Sequence, residues 1–119
     1  MTTKDRRRFQ RIRPAQPLPG SVGRARVYVL DGSIGGVAVL HENALPTPGD
    51  ICRIEIQTDI GAITLDCEVV RTVRHTSGEV PMPKPLSESG LRVVAADHQS
   101  AQRLRSMFGA GAAKKPLDN

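Results

Sequence analysis

The chain has 119 residues, 39% of them hydrophobic, with two cysteines and a formal charge of +5. That length holds one core and leaves little room for a second, and the core must be aliphatic because Phe9, Tyr28 and Phe108 are its only large rings. No stretch reaches membrane-spanning length and the first residues lack the apolar run of a secretion signal, so the expectation is a cytoplasmic protein with reduced thiols and no membrane insertion.

The charge is unevenly placed. Residues 1–13 carry Lys4, Arg6, Arg7, Arg8, Arg11 and Arg13 against Asp5 and so hold the entire +5, while the rest of the chain balances 11 basic residues against 11 acidic ones. A nonspecific nucleic-acid binder spreads its cations over a face. Here one arm alone invites an anion. The proline-rich "PAQPLPGS" that follows reads as an extended linker, giving an arm-and-linker segment over residues 1–20.

In "GRARVYVL" (23–30), Ala25, Val27 and Val29 alternate with Arg24, Arg26 and Tyr28, the period-two pattern of a half-buried strand. "DGSIGG" (31–36) breaks this strand as a turn, and "VAVLHE" (37–42) begins a second apolar run. "NALPTPGD" (43–50) is a turn by composition. The next pair is the best defined. "ICRIEIQT" (51–58) and "AITLDCEVVRTVR" (62–74) both alternate, and "DIG" between them can turn the chain. Matching their apolar faces pairs Ile56 with Ile63, Ile54 with Leu65 and Cys52 with Cys67. The same register places Arg53 opposite Asp66 and Glu55 opposite Thr64. Residues 75–89, with three prolines, read as a long loop, and "GLRVVAA" (90–96) as the last strand. A helix follows over 97–108, capped by Asp97, with Ala101, Leu104 and Phe108 on one face. Gly109 ends it, and residues 109–119 read as a disordered tail. The fold class is therefore mainly β: a small antiparallel barrel of five or six strands over residues 21–108, closed to remove its edges and covered at one end by the helix.

Little in the chain suggests catalysis. His41, His75 and His98 are scattered, no cysteine–histidine cluster has zinc spacing, and no carboxylate pair marks an acid–base site, so an enzyme is not expected. The opposed Cys52 and Cys67 read as two small buried side chains, with a redox pair as the alternative.

"DGSIGG" and the arm carry more information together than apart. The Asp31 carboxylate can accept from the adjacent N1–H and amino group of a guanine. The Ser33 hydroxyl can add a bond, and Gly35 and Gly36 allow close backbone approach. In the arm, Arg7 and Arg11 stand four apart with Arg6 immediately before them. Arginine forks grip phosphate, read the guanine O6/N7 edge and stack on purines. A local turn and a solvated tail remain the alternatives for these two stretches.

An RxxxR pair (Arg7, Arg11), then a strand, then DxSxxG (Asp31, Ser33, Gly36) resembles the PilZ domain. The "PTPGD" turn, the paired strands and "SGLRVV" leading into a terminal helix extend the likeness over roughly residues 5–108. The resemblance implies a six-stranded split barrel with a C-terminal helix, in a bacterial receptor for the second messenger cyclic di-GMP. Arg7 and Arg11 would grip phosphate and guanine, the Asp31–Gly36 turn would hold a guanine, and Arg6 would seat a second ligand molecule of an intercalated pair. The arm would fold onto the "DGSIGG" edge when ligand binds. No cofactor is implied beyond the ligand itself. Output would pass through a separate partner protein acting on motility, polysaccharide synthesis, or attachment and biofilm formation. Two other readings stay open: an interaction module of this fold that binds no nucleotide, and a small-barrel nucleic-acid binder.

Overall fold

The computed structural model describes residues 11–42, 44–75 and 86–109. Their elements in chain order are β1 (Leu18–Val22), β2 (Ala25–Ser33), β3 (Gly36–His41), β4 (Ile51–Thr58), β5 (Gly61–His75), β6 (Leu86–Ala96) and α1 (His98–Phe108). All strand pairs are antiparallel, and the sheet closes as a barrel in the order β1-β2-β3-β6-β5-β4. Closure leaves no unpaired edge.

Alternation along the strands fills the interior. Val27 and Val29, Val37 and Val39, Ile54 and Ile56, and Ile63, Leu65, Cys67 and Val69 all point inward and are fully or almost fully buried. Complete burial of an aliphatic side chain of this size contributes about 1.5–3 kcal/mol. The β4–β5 hairpin has the expected register, with Ile56 opposite Ile63, Ile54 opposite Leu65 and Cys52 opposite Cys67. On its outer face Arg53 Nε donates to Asp66 Oδ1 at 2.9 Å, and this bond holds the Asp66 carboxyl below the usual carboxylate range.

Helix α1 covers one end of the barrel. Asp97 accepts from Ser100 N at 2.8 Å as N-cap, and the Gly109 N–H closes the last turn on Arg105 O at 2.7 Å. Two bonds tie it to β5: Thr64 N donates to Ser100 Oγ, and Arg103 Nη1 donates to Ala62 O. Leu104 and Phe108 enter the core as expected, with Ser100 buried on the same side and Ala101 only half-buried. Phe108 lies against Gly32, where a Cβ would stand 3.2 Å from its ring.

Three expectations need correction. Residues 18–20 are not linker but the start of strand β1, which pairs with both β2 and β4. Pro19 is tolerated because pairing with β4 begins only at Gly20, so no ladder N–H is required of it on that side. Asp31, Gly32 and Ser33 do not break β2; they complete it, and the turn is confined to Ile34–Gly35. The loop over 75–89 is also too long, since His75 ends β5 and Leu86–Ser89 open β6. Ser89 hides that strand from composition: it is fully buried, 2.8 Å from both His41 Nε2 and Thr72 Oγ1, a polar rung at an inward position. Residues 76–85 of the expected loop and 110–119 of the expected tail lie outside the described residues.

Candidate functional site

A β-bulge in β2 decides where the "DGS" side chains go. Val29 pairs with Val39, but the next pair is Asp31 with Ala38, so Leu30 is an extra residue. Simple alternation from Val27 and Val29 would send Asp31 and Ser33 into the core. The inserted residue reverses the parity, so Gly32 pairs with the inward Val37 while Asp31 and Ser33 face the outer wall.

The arm meets them there. Ile12 forms an isolated bridge with Gly32, its N–H donating to Gly32 O at 2.7 Å and its O accepting from Gly32 N at 3.0 Å. This bridge swings Arg11 onto Asp31, where Nη1 donates to Oδ1 at 2.7 Å. Arg13 approaches the other carboxylate oxygen at 3.7 Å. From Arg11 onward the segment is docked on the edge of β2. The Ile34–Gly35 turn is pinned from both sides. Gly35 N donates to Ser33 Oγ at 3.1 Å, and Val93 N donates to Gly35 O at 2.9 Å. Ser33 therefore uses a lone pair on its own turn and keeps its O–H for another acceptor. Gly36 admits no side chain: a Cβ would stand 2.5 Å from Leu91 O on the adjacent β6.

Arg11, Ser33, Gly35 and Gly36 line an open cavity of about 420 Å³ on the outer wall. Its floor is β6 from Gly90 to Val93, and its far side is β5 at Val70 and Arg71. Arg92 also lines it and is bonded to Glu68. Of the expected site residues, Arg11, Asp31, Ser33, Gly35 and Gly36 thus converge on this cavity and its rim. Arg6 and Arg7 lie outside the described residues. Sequence reading missed Val70 and Arg71 on β5 and Arg92 on β6; only the cations of "RTVR" and "LRVV" marked them. The charged residues of the lining are all arginines, with the Asp31 carboxylate beside Arg11, a charge arrangement that can receive an anionic guest. Among the described residues no group of three metal-ligating side chains occurs, and no helix is long and apolar enough to cross a membrane.

Fold and site together define a small closed β-barrel carrying an arginine-lined cavity beside a segment bridged to β2 through Ile12 and Gly32. A family model for the PilZ domain matches residues 5–108, and the chain belongs to that family. No curated protein matches it in sequence. Among solved structures it is similar to the PilZ domain with c-di-GMP of YcgR from Escherichia coli, at 19% identity and a TM-score of 0.69, over 97% of this chain and 99% of that one. It is also similar to YcgR from Escherichia coli in complex with c-di-GMP (18%, TM-score 0.65, 95% of this chain and 50% of that one). A third is the Bacillus subtilis inhibitor of motility MotI/DgrA (18%, TM-score 0.66, 97% of this chain and 53% of that one). The chain thus spans about half the length of the last two. At these identities the likeness is one of fold.

Proposed function

We propose that this chain is a cyclic di-GMP receptor that acts as an adaptor, binding the messenger in the cavity between its arm and β6. The observation that carries this reading is the meeting of Arg11 with Asp31 across 20 residues, beside Ser33 and Gly36. Arg11 of the RxxxR pair lies beside residues of the DxSxxG pattern, and the cyclic di-GMP named with the YcgR structures supports the choice of ligand.

Asp31 would accept the N1–H and amino group of a guanine, releasing Arg11 to turn its fork toward phosphate or the O6/N7 edge. Arg13 is close enough to Asp31 to keep a cation beside it through that exchange. The Ser33 hydroxyl would donate its free hydrogen, and the bare Gly36 lets the base lie on the wall. Arg7 would complete the clamp and Arg6 would face a second ligand molecule stacked on the first. The occupied arm is the surface a downstream protein would read, with motility as the process named for one similar structure. A nucleic-acid role is disfavoured by the scarcity of stacking rings: among the described residues Tyr28 is the one exposed aromatic.

Calorimetric titration with cyclic di-GMP, with short DNA and RNA as controls, tests this. Saturation at two ligands per chain with no heat from either nucleic acid supports the whole scheme. Saturation at one removes the role given to Arg6, and no heat from cyclic di-GMP removes the function.

A further inference from the structure

The three arginines of the cavity are not electrically equivalent. Arg11 is paired with Asp31, and Arg92 with Glu68, so each already has a carboxylate. Arg71 has no ion-pair or hydrogen-bond partner among the described residues. Among the described residues it is the uncompensated positive charge of the lining.

Its position follows from a second bulge. Val69 pairs with Leu91 and the next pair is Arg71 with Gly90, so Val70 is the extra residue. Without it Arg71 would continue the inward series Cys67–Val69 and bury a charge in the barrel. With it Arg71 turns outward, and Val70 is left 52% exposed beside it. Opposite stands Gly90, where a Cβ would sit 3.7 Å from Arg71 Cγ and 3.8 Å from Nε. The stem of Arg71 therefore lies along the strand wall over a residue with no side chain. Since β6 separates β3 from β5, Arg71 and the residues Ser33, Gly35 and Gly36 line the cavity from opposite sides of its floor.

We propose that Arg71 is a ligand-contacting residue, its fork donating to a phosphate of the bound cyclic dinucleotide. This rests on the cyclic di-GMP reading above. Phosphates are the anionic groups of that ligand, and a full positive charge without a partner gains most from a full negative one. Arg11 and Arg92 must each give up a carboxylate to reach phosphate. Arg71 has no carboxylate to give up among the described residues.

The test is titration of the full chain with cyclic di-GMP in wild type, Arg71→Ala, Arg71→Lys and the control Arg74→Ala. Arg74 is exposed on the same strand, outside the cavity lining, and its loss changes the charge equally. Arg71→Ala is expected to weaken binding by about 10- to 100-fold, the range of one charge-assisted hydrogen-bonded contact, and to flatten the dependence on salt. Arg71→Lys should recover part of the loss, because the ammonium keeps the charge without the fork. Arg74→Ala should stay within about 3-fold of wild type, as expected of a distant, screened charge. Wild-type affinity in Arg71→Ala, or an equal loss in Arg74→Ala, overturns the assignment while leaving the ligand reading intact. Failure of the wild type to bind removes both.

Discussion

Arg11 and Asp31 lie 20 residues apart in the chain and meet at 2.7 Å, which brings the segment from Arg11 onward against the bulged end of β2. The bridge of Ile12 to Gly32 fixes this meeting from the backbone. The side-chain pair is therefore not what holds the segment on the barrel. A partly exposed pair of this kind contributes about 0–1 kcal/mol.

Arg11→Ala should accordingly separate binding from stability. Its melting temperature should stay within about 5 °C of wild type, as a loss of 1 kcal/mol or less implies for a domain of this size. Affinity for cyclic di-GMP should fall by about 100-fold, as loss of a bidentate contact to a charged group predicts. Thermal melts and titration on the same preparation check both. A barrel that unfolds in Arg11→Ala would make the arm structural and sink the clamp.

Asp31→Ala makes the complementary case. On the proposed reading it removes the acceptor for the guanine edge but leaves the arginines that would hold phosphate. Binding should weaken, and the preference for cyclic di-GMP over cyclic di-AMP should shrink, since adenine lacks the N1–H and amino pair that the carboxylate reads. Competition between the two dinucleotides measures this. An unchanged ratio would show that Asp31 does not face the base.

Gly36→Ala acts on the wall itself. The added Cβ would meet the Leu91 carbonyl at 2.5 Å, so β3 and β6 must part. The cost should be about 1–3 kcal/mol, the usual range for an overpacked site, seen as a lower urea midpoint. Because Gly36 and Leu91 both line the cavity, ligand affinity should fall in the same variant.

The regular parts of this protein were legible because one residue decides one position. Ile54, Ile56, Ile63 and Leu65 alternate without interruption, so the β4–β5 register follows from them, and Asp97 and Gly109 bracket the helix. The motif residues Arg11, Asp31, Ser33 and Gly36 were legible by type and spacing. Their outward direction was not, because it depends on Leu30 being an unpaired extra residue, which nothing in "VYVLDGS" announces. Val70 hides Arg71 in the same way. Strand β1 and the start of β6 were missed where Pro19 and Ser89 occupy positions that pairing makes tolerable only in the assembled barrel.

Cys67 yields a prediction about pH. It is fully buried opposite Cys52, and burial pushes its thiol up from the ordinary 9.0 to about 12. A group whose folded value is raised gives its full stabilisation below the unfolded value and loses it as pH climbs through the folded one. Below pH 9 the thiol is protonated in both states, and nothing changes. Between about 9 and 12 the unfolded chain ionises while Cys67 stays protonated, so unfolding is increasingly favoured. Denaturant titrations across that window should show falling stability in wild type and a shallower fall in Cys67→Ala, which itself should cost about 1 kcal/mol for the small cavity left. Every other residue is common to the two proteins, so the difference isolates the thiol. In the folded state at pH 8 a thiol reagent should modify the half-buried Cys52 first. Equal labelling rates for the two cysteines, or parallel pH profiles for the two proteins, would mean that Cys67 is not sealed in the core.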